Sequence, residues 1–271
     1  MLLAHAAAAI EVSGLVKPIE EAEVAARDAG AVAVIEVHEG QTVAAGQLLV
    51  QLDEVQAKLE AERTKRELDV AVKRARNDAP VRFAQQSLEV ARKDLERAES
   101  TIKDFPSAVS RTELDQFQLG VQRSQTAVEQ ARAELELAEL QRLVKQAEAE
   151  LAAHRVEQRK IAAPFAGVVA EIYKRRGEWA TAGDRVVRLL RTDRLRVEAF
   201  VPAQSVQPDL AGRPATIETA DGATLKGKIV FVSPENDPVG GQVRIWAEVD
   251  NPEGRVRPGQ TVRMRLDPKP R

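Results

Sequence analysis

Between Glu54 and Lys160 the apolar residues recur at helical spacing. Ala84, Leu88, Ala91, Leu95, Ala98 and Ile102 are separated by 4-3-4-3-4. Leu114, Phe117, Val121, Ser124, Val128, Ala131, Leu135 and Ala138 follow 3-4-3-4-3-4-3. Both are heptad seams of a left-handed coiled coil. The one strong break between them is Lys103-Asp-Phe-Pro-Ser-Ala-Val-Ser110, so an antiparallel helical hairpin over residues 54–160 is predicted, with its tip at 104–110. Ser110 followed by Glu113 makes a capping box for the returning helix. Each arm holds about 50 residues, roughly 75 Å if continuous. The first arm contains Asn77-Asp-Ala-Pro80, where Asp78 suits an N-cap and Pro80 ends a helix. At the facing level the apolar set of the second arm moves to Leu137, Leu140, Val144, Ala147 and Leu151. A kink or segmented hairpin near 77–80 is expected.

The flanks of this insert read differently. Gly30 to Leu52 and Gly167 to Leu189 are runs of β-branched residues broken by glycines. A shift of 137 positions lays Gly30 on Gly167, Gly40 on Gly177, Gly46 on Gly183, Ile35 on Ile172, Val50 on Val187 and Leu52 on Leu189. Each copy is too small to bury a core alone, so the two are expected to pair into one β domain interrupted by the hairpin. Val12 to Asp28 reads as one or two strands. Leu195–Val201, Ala215–Glu218, Leu225–Val232, Val243–Val249 and Thr261–Leu266 read as five more, separated by turns such as Asp221-Gly222 and Arg257-Pro-Gly259. Short strands with regular turns predict a small antiparallel barrel, completed by the N-terminal strand.

Composition narrows the function. Charged residues make up 30% and aromatics 3%, with a net charge of −2, so nothing pulls the chain globally toward nucleic acid or an anionic membrane. There is no cysteine, which removes disulfides, thiolate metal sites and a lipidated N-terminal cysteine. Met1-Leu-Leu-Ala-His-Ala-Ala-Ala-Ala-Ile-Glu11 resembles the tail of a secretory signal but lacks a basic region; residues 1–11 are read as a signal remnant or a disordered leader.

Two glycine-rich half-motifs around a long hairpin, followed by a barrel, resemble the HlyD-type membrane fusion proteins, the periplasmic adaptors of efflux and secretion systems. The first half-motif is carried by Gly30-Ala-Val, Val37-His-Glu-Gly40-Gln-Thr-Val43-Ala-Ala-Gly46-Gln-Leu-Leu and Leu52-Asp53. The second is carried by Ile161-Ala-Ala-Pro164-Phe-Ala-Gly167-Val-Val and Gly177 to Gly183-Asp-Arg-Val, and the barrel by Gln242-Val-Arg, Val249-Asp-Asn251-Pro and Arg257-Pro-Gly259-Gln. The resemblance implies an elongated, multi-domain α+β chain. Its parts are a β-barrel at 12–28 and 191–271, a lipoyl/biotinyl-like β-sandwich at 29–53 and 161–190, and the coiled-coil hairpin. About 80 residues follow the second half-motif; they suffice for the barrel, and a complete fourth, membrane-proximal domain is not expected among them. The resemblance also implies partners: an inner-membrane RND or ABC transporter, an outer-membrane channel of TolC type, and further copies of the chain, as in a hexameric ring. It places the chain in the periplasm beside the inner membrane. In the drug-efflux branch an arginine stands eleven residues before a serine like Ser110, with an apolar residue between. Glu99 and Lys103 occupy those positions here, which weakens the carry-over of TolC-type docking.

No catalytic or cofactor constellation is legible. A lipoyl carrier displays a lysine where this chain has Asp53-Glu54 and then the hairpin; the nearest lysine, Lys58, falls on a helix, so no cofactor is expected. His5, His38 and His154 have no second ligand at metal-binding spacing. Methionine occurs only at positions 1 and 264, against a methionine metal relay. His38 falls on Arg175 in the repeat, and both are expected to face solvent beside a turn. The hairpin acids fall off the seam, as a solvated face would. Lys174-Arg175-Arg176 reads as a solvated turn or a partner contact, and Trp179 and Trp246 as core or barrel-wall residues. Phosphate loops, nucleophile elbows and HExxH are absent. The candidate partner-binding residues are therefore at the tip: Phe105, Val109, Ser110, Arg111, Glu113 and Leu114. Two other classes stay open, a lipoyl/biotinyl carrier module of an enzyme complex and a coiled-coil envelope scaffold without a transport role.

Overall fold

The structure, a computed structural model, describes residues 10–105, 108–206, 209–237 and 240–266. It divides into two compact units, Met1–Asp53 with Gln158–Arg271, and Glu54–Glu157.

The first unit contains the repeat, and the repeat explains its architecture. In chain order its strands are β1 (Ile10–Ala25), β2 (Gly30–Ile35), β3 (Thr42–Val43) and β4 (Leu48–Leu52), then, beyond the insert, β5 (Lys160–Ala162), β6 (Gly167–Ile172), β7 (Trp179–Ala180) and β8 (Arg185–Pro202). The two half-motifs bond to each other reciprocally. Gly40 N–H donates to Val169 O at 2.8 Å, and Gly177 N–H donates to Val32 O at 2.9 Å. Gly46 N–H reaches Ala163 O at 2.8 Å, and Gly183 N–H reaches Ala26 O at 2.9 Å. Every donor and acceptor in the second pair lies 137 positions from its counterpart, so the sandwich has an internal pseudo-twofold. The turn glycines obey it too: Gly40 and Gly177 have φ of 84° and 87°, which a side chain would strain. Side chains repeat the pattern. Gln41 and Glu178 accept from the His38 and Arg175 amides at 3.0 and 2.9 Å, while Gln47 and Asp184 accept from the Ala44 and Thr181 amides at 2.9 and 3.0 Å. Asp184 also binds Lys174 at 2.9 Å, and with the Thr181 amide as the chief cause its pKa falls to about 2.

The structural repeat starts earlier than the sequence motif. Val24 pairs with Val187 and Ile161 pairs with Val50, again 137 apart. Val24 and Ala26 consequently join the sandwich core, with Val32, Leu49, Leu52, Ile161, Val169 and Leu189. The expected assignment of 12–28 wholly to the barrel is corrected by this packing, as β1 serves both cores. The leader boundary moves as well: Ile10 and Glu11 already pair with Leu266 and Arg265 in a strand, and residues 1–9 lie outside the described residues.

The barrel adds β9 (Pro214–Glu218), β10 (Thr224–Asn236), β11 (Gln242–Asp250) and β12 (Thr261–Leu266). The antiparallel order β1-β12-β9-β10-β11-β8 closes because β8 also pairs with β1, so the N-terminal strand removes both sheet edges. Alternation sends Val197, Ala199, Ile217, Ile229, Ile245, Ala247 and Met264 inward, each 1% exposed or less. Asn251 of the matched barrel motif is buried and fully used. Its Nδ2 donates to Thr192 O and Val256 O at 3.0 and 2.9 Å, and its Oδ1 accepts from Val256 N–H at 3.1 Å.

The second unit is helical: α1 (Val55–Ala75), α2 (Ala79–Asp104) and α3 (Arg111–Gln158). Ala84, Leu88 and Val128 form its buried core with Val121 and Ala131 against them, as the two seams predicted. The first arm is segmented at 76–78. Asp78 holds the N-cap position without a side-chain cap bond; it pairs with Arg82 at 3.2 Å, while Asn77 Oδ1 accepts from Ala79 N–H at 3.4 Å. The second arm is one helix of 48 residues, about 72 Å. Its seam does not move to Leu137, Leu140, Val144, Ala147 and Leu151. Leu137, Leu140, Val144 and Leu151 are 53–58% exposed, and Ala147 is exposed too. The unbroken helix keeps its phase, and Ala138, Arg142, Lys145, Ala149, Ala152 and Val156 turn inward at 4-3-4-3-4 spacing. They meet a small-residue stripe on α1 (Ala57, Ala61, Thr64, Leu68, Ala71, Ala75), and Lys145 crosses to Glu67 at 2.8 Å. Alanine faces leave room for the stems of longer polar chains, whose heads stay wet at the edge.

Candidate docking site at the hairpin tip

Helix α2 ends because Asp104 is followed by Phe105 in extended conformation (φ −139°, ψ 91°), which precedes a proline. The Phe105 amide still bonds Thr101 O at 2.8 Å, and Ala108 N–H donates to Phe105 O at 3.0 Å, turning the chain. Helix α3 then starts on the expected capping box. Ser110 N–H donates to Glu113 Oε2 at 2.8 Å, and Glu113 N–H donates to Ser110 Oγ at 3.2 Å. The Ser110 amide holds the Glu113 carboxyl below the usual glutamate range.

The structure thus brings Ser110 and Glu113 together, and Leu114 N–H closes the first turn on Ser110 O at 3.0 Å. Val109 and Leu114 are half-buried, Arg111 is exposed, and Phe105 is 68% exposed although aromatic. Pro106 and Ser107 of the tip lie outside the described residues. Glu99 and Lys103 are both exposed on α2. An exposed phenylalanine thus stands next to a capped helix start.

Ser110→Ala is expected to cost the α3 N-terminus about 1 kcal/mol. Because the folded Glu113 pKa is lowered, the box stabilises above the ordinary glutamate range and its contribution fades as pH falls through the lowered value. Hydrogen exchange at the Glu113 amide should accelerate in the variant at neutral pH, and the difference from wild type should shrink in acid. Equal exchange at neutral pH would mean the box is not holding the turn.

Other sequence candidates resolve as follows. His38 and Arg175 are exposed at equivalent turns. Lys174 is turn scaffold, bound to Asp184 and donating to Trp179 O at 3.1 Å, while Arg175 and Arg176 stay exposed. Trp179 is not a core residue: Ala180 beside it is buried, so alternation along β7 leaves Trp179 63% exposed. Trp246 lies on the outer barrel face in contact with Phe231, Arg196 and Arg244. That cluster was readable only as far as the alternation Val243, Ile245, Ala247, Val249, which puts Arg244 and Trp246 on the opposite face. Among the described residues no group of three or more His, Cys, Asp or Glu is placed to hold a metal ion. Among them, too, no helix is long and apolar enough to cross a membrane.

Comparison with known proteins matches this architecture. Residues 20–192, more than half of the chain, fit the family described as RND MFP, barrel-sandwich hybrid domain, and residues 197–270 fit the CusB-like β-barrel domain. An uncharacterised protein of Haemophilus influenzae is 25% identical over 260 residues, covering 95% of this chain and 57% of that protein. The nickel-cobalt-cadmium resistance protein NccB of Alcaligenes xylosoxydans xylosoxydans is 29% identical over 258 residues, covering 93% and 56%. The chain spans a little over half the length of these relatives. Among solved structures, MacA from Actinobacillus actinomycetemcomitans aligns with a TM-score of 0.70 at 18% identity, over 96% of this chain and 78% of that one. A putative efflux transporter from Bacteroides eggerthii aligns at 0.54 and 20% identity, over 96% and 68%. At such identities the likeness is one of fold. With the split sandwich, the hairpin inserted in it and the closed barrel all in place, the chain belongs to the membrane fusion protein family of RND-type systems.

Proposed function

We propose that the chain is a non-catalytic periplasmic adaptor that links an inner-membrane efflux transporter to an outer-membrane channel, the hairpin tip being the channel-side contact. The observation that carries this reading is the interruption of one pseudo-symmetric sandwich at Asp53 by a helical hairpin ending in a capped turn with an exposed Phe105. A carrier module would keep that turn short and display its lysine there. The family description favours a transporter of the RND type, and the name of NccB favours divalent transition-metal cations as the cargo of the system. The cargo need not touch the adaptor. A single tip contact buries little area, so copies in a ring would gain by avidity. The exposed stripe Leu137, Leu140, Val144 and Leu151 offers such copies a lateral surface.

The test places a photo-crosslinking residue at Phe105 in cells that express the chain, and compares their nickel and cobalt tolerance with that of a deletion strain. The expected result is capture of an outer-membrane channel, with tolerance lost when the gene is deleted. Capture of this protein alone, or of nothing, while a transporter still co-purifies, would overturn the bridging role. Unchanged metal tolerance on deletion would overturn the cargo.

A further inference from the structure

On the outer face of the barrel one arginine, Arg196, stacks on an aromatic ring and makes no ion pair among the described residues. Pairing of β8 with β11 sets Arg196 beside Glu248, Glu198 beside Trp246 and Phe200 beside Arg244, and β10 places Phe231 opposite Trp246. The Trp246 ring stacks on Phe231 with centroids 4.0 Å apart and planes 17° from parallel. The Arg196 guanidinium lies 4.4 Å from the Trp246 centroid, and that of Arg244 lies 5.6 Å away.

Glu198, Glu248 and Asp250 stand on this face along β8 and β11, and other cations take them. Glu198 pairs with Lys17 and with Arg244 at 3.7 Å, and Arg194 pairs with Glu248 and with Asp250 at 3.5 Å. Arg196 makes no ion pair among the described residues, and its buried Nε has no hydrogen-bond partner. Stacking on tryptophan fixes the guanidinium before any ligand arrives, so little side-chain entropy is left to lose on binding. Apolar side chains are exposed on the neighbouring strands and further along β8: Leu15, Phe200 and Val230 are 43%, 48% and 49% exposed. Arginine, tryptophan and phenylalanine on a partly desolvated face are the composition of protein-binding hot spots.

We propose that this face docks a protein partner through an Asp or Glu side chain set among apolar residues, the carboxylate on Arg196 and the apolar neighbours on Phe200 and Val230. A carboxylate matches the planar fork of a guanidinium in a bidentate pair. An extended anionic surface fits less well, because Glu198, Glu248 and Asp250 would face it. The proposal is independent of what the hairpin tip binds.

The experiment introduces a photo-crosslinker at Phe200 in cells and maps the captured peptide by mass spectrometry, in the wild type and in R196K, R196Q and R196E backgrounds. The expected result is one envelope protein captured through a peptide bearing an acid beside apolar residues. Capture should fall about tenfold or more in R196E, less in R196K, and recover when the mapped acid is changed to arginine in the R196E background. Thermal unfolding of the purified variants controls for folding, since Arg196 packs on the barrel's outer surface. Capture that ignores R196E, capture of only a second copy of this chain, or no capture overturns the proposal. So does sedimentation of the purified chain with phosphatidylglycerol vesicles that R196E abolishes, which would assign the face to an anionic lipid.

Discussion

Replacing Leu189 by alanine is expected to lower the unfolding free energy of the barrel and sandwich unit by about 2–5 kcal/mol, the range for emptying a fully buried leucine site. Leu189 is 0% exposed and packs in one core with Leu49, Val50, Leu52, Val186 and Val187, all equally enclosed. The cavity cannot close easily, because Leu189 sits in a strand laddered on both sides, opposite Ala22 of β1 and Val169 of β6. Against the total stability of an ordinary domain, about 5–15 kcal/mol, this is a large fraction. Strand β8 runs on from the sandwich into the barrel, so the two cores should lose structure together. Trp179 belongs to the sandwich and Trp246 to the barrel, which gives each core its own reporter. Urea unfolding followed in single-tryptophan backgrounds decides the matter. A loss below about 1 kcal/mol would mean that the site collapses around the smaller side chain. Two separate midpoints would mean that the shared strands do not couple the cores.

A methyl group added at Gly167 should be far more damaging than one added at Gly30, although the two glycines occupy equivalent places in the repeat. The Cβ of Gly167→Ala would stand 2.5 Å from Leu190 O and 3.1 Å from its carbonyl carbon. That carbonyl is backbone of β8, held from the other side by the pairing of Leu190 with Glu21, so it cannot step aside without opening a ladder. A cost at the upper end of about 1–3 kcal/mol, or beyond it, is expected for such overpacking. At Gly30 the nearest atom is Nη1 of Arg159 at 3.0 Å, a side-chain end that can shift by a few tenths of an ångström while keeping its bonds to Asp53 O and Asp28. Gly30→Ala should therefore stay within about 1 kcal/mol of the parent. The difference arises where the pseudo-symmetry ends. The counterpart of Leu190 is Asp53, and β4 stops at Leu52 as the chain departs into α1, so no strand carbonyl faces Gly30. Thermal midpoints of the two variants measure the asymmetry, and equal shifts would contradict it.

The sandwich was legible because its information is local and doubled. Glycines at matching places, followed by β-branched residues in matching phase, leave few ways for two short copies to bury themselves. The first turn of α3 was legible for the same reason, since Ser110 and Glu113 satisfy each other's backbone within four residues. Reading failed where a choice depended on residues distant in the chain. The apolar set Leu137, Leu140, Val144 and Leu151 looked like the seam by composition. Which stripe faces α1 was settled instead by the phase of a 48-residue helix and by the alanines opposite it. Trp179 was misplaced because its exposure depends on which of two residues in β7 fills the core, and Ala180 does.

By itself the sequence determined the order of parts, the site of the insertion, the two half-motifs, the turn glycines and the capped tip. Each of these follows from local stereochemistry or from periodicity within one segment. Tertiary structure alone decided that β1 serves two cores, that β8 closes the barrel on it, and that Arg196 stands over Trp246 and makes no ion pair among the described residues. Those outcomes depend on strand register and on competition among charges brought together from β1, β8 and β11. Such competition has no trace in the spacing of residues along the chain.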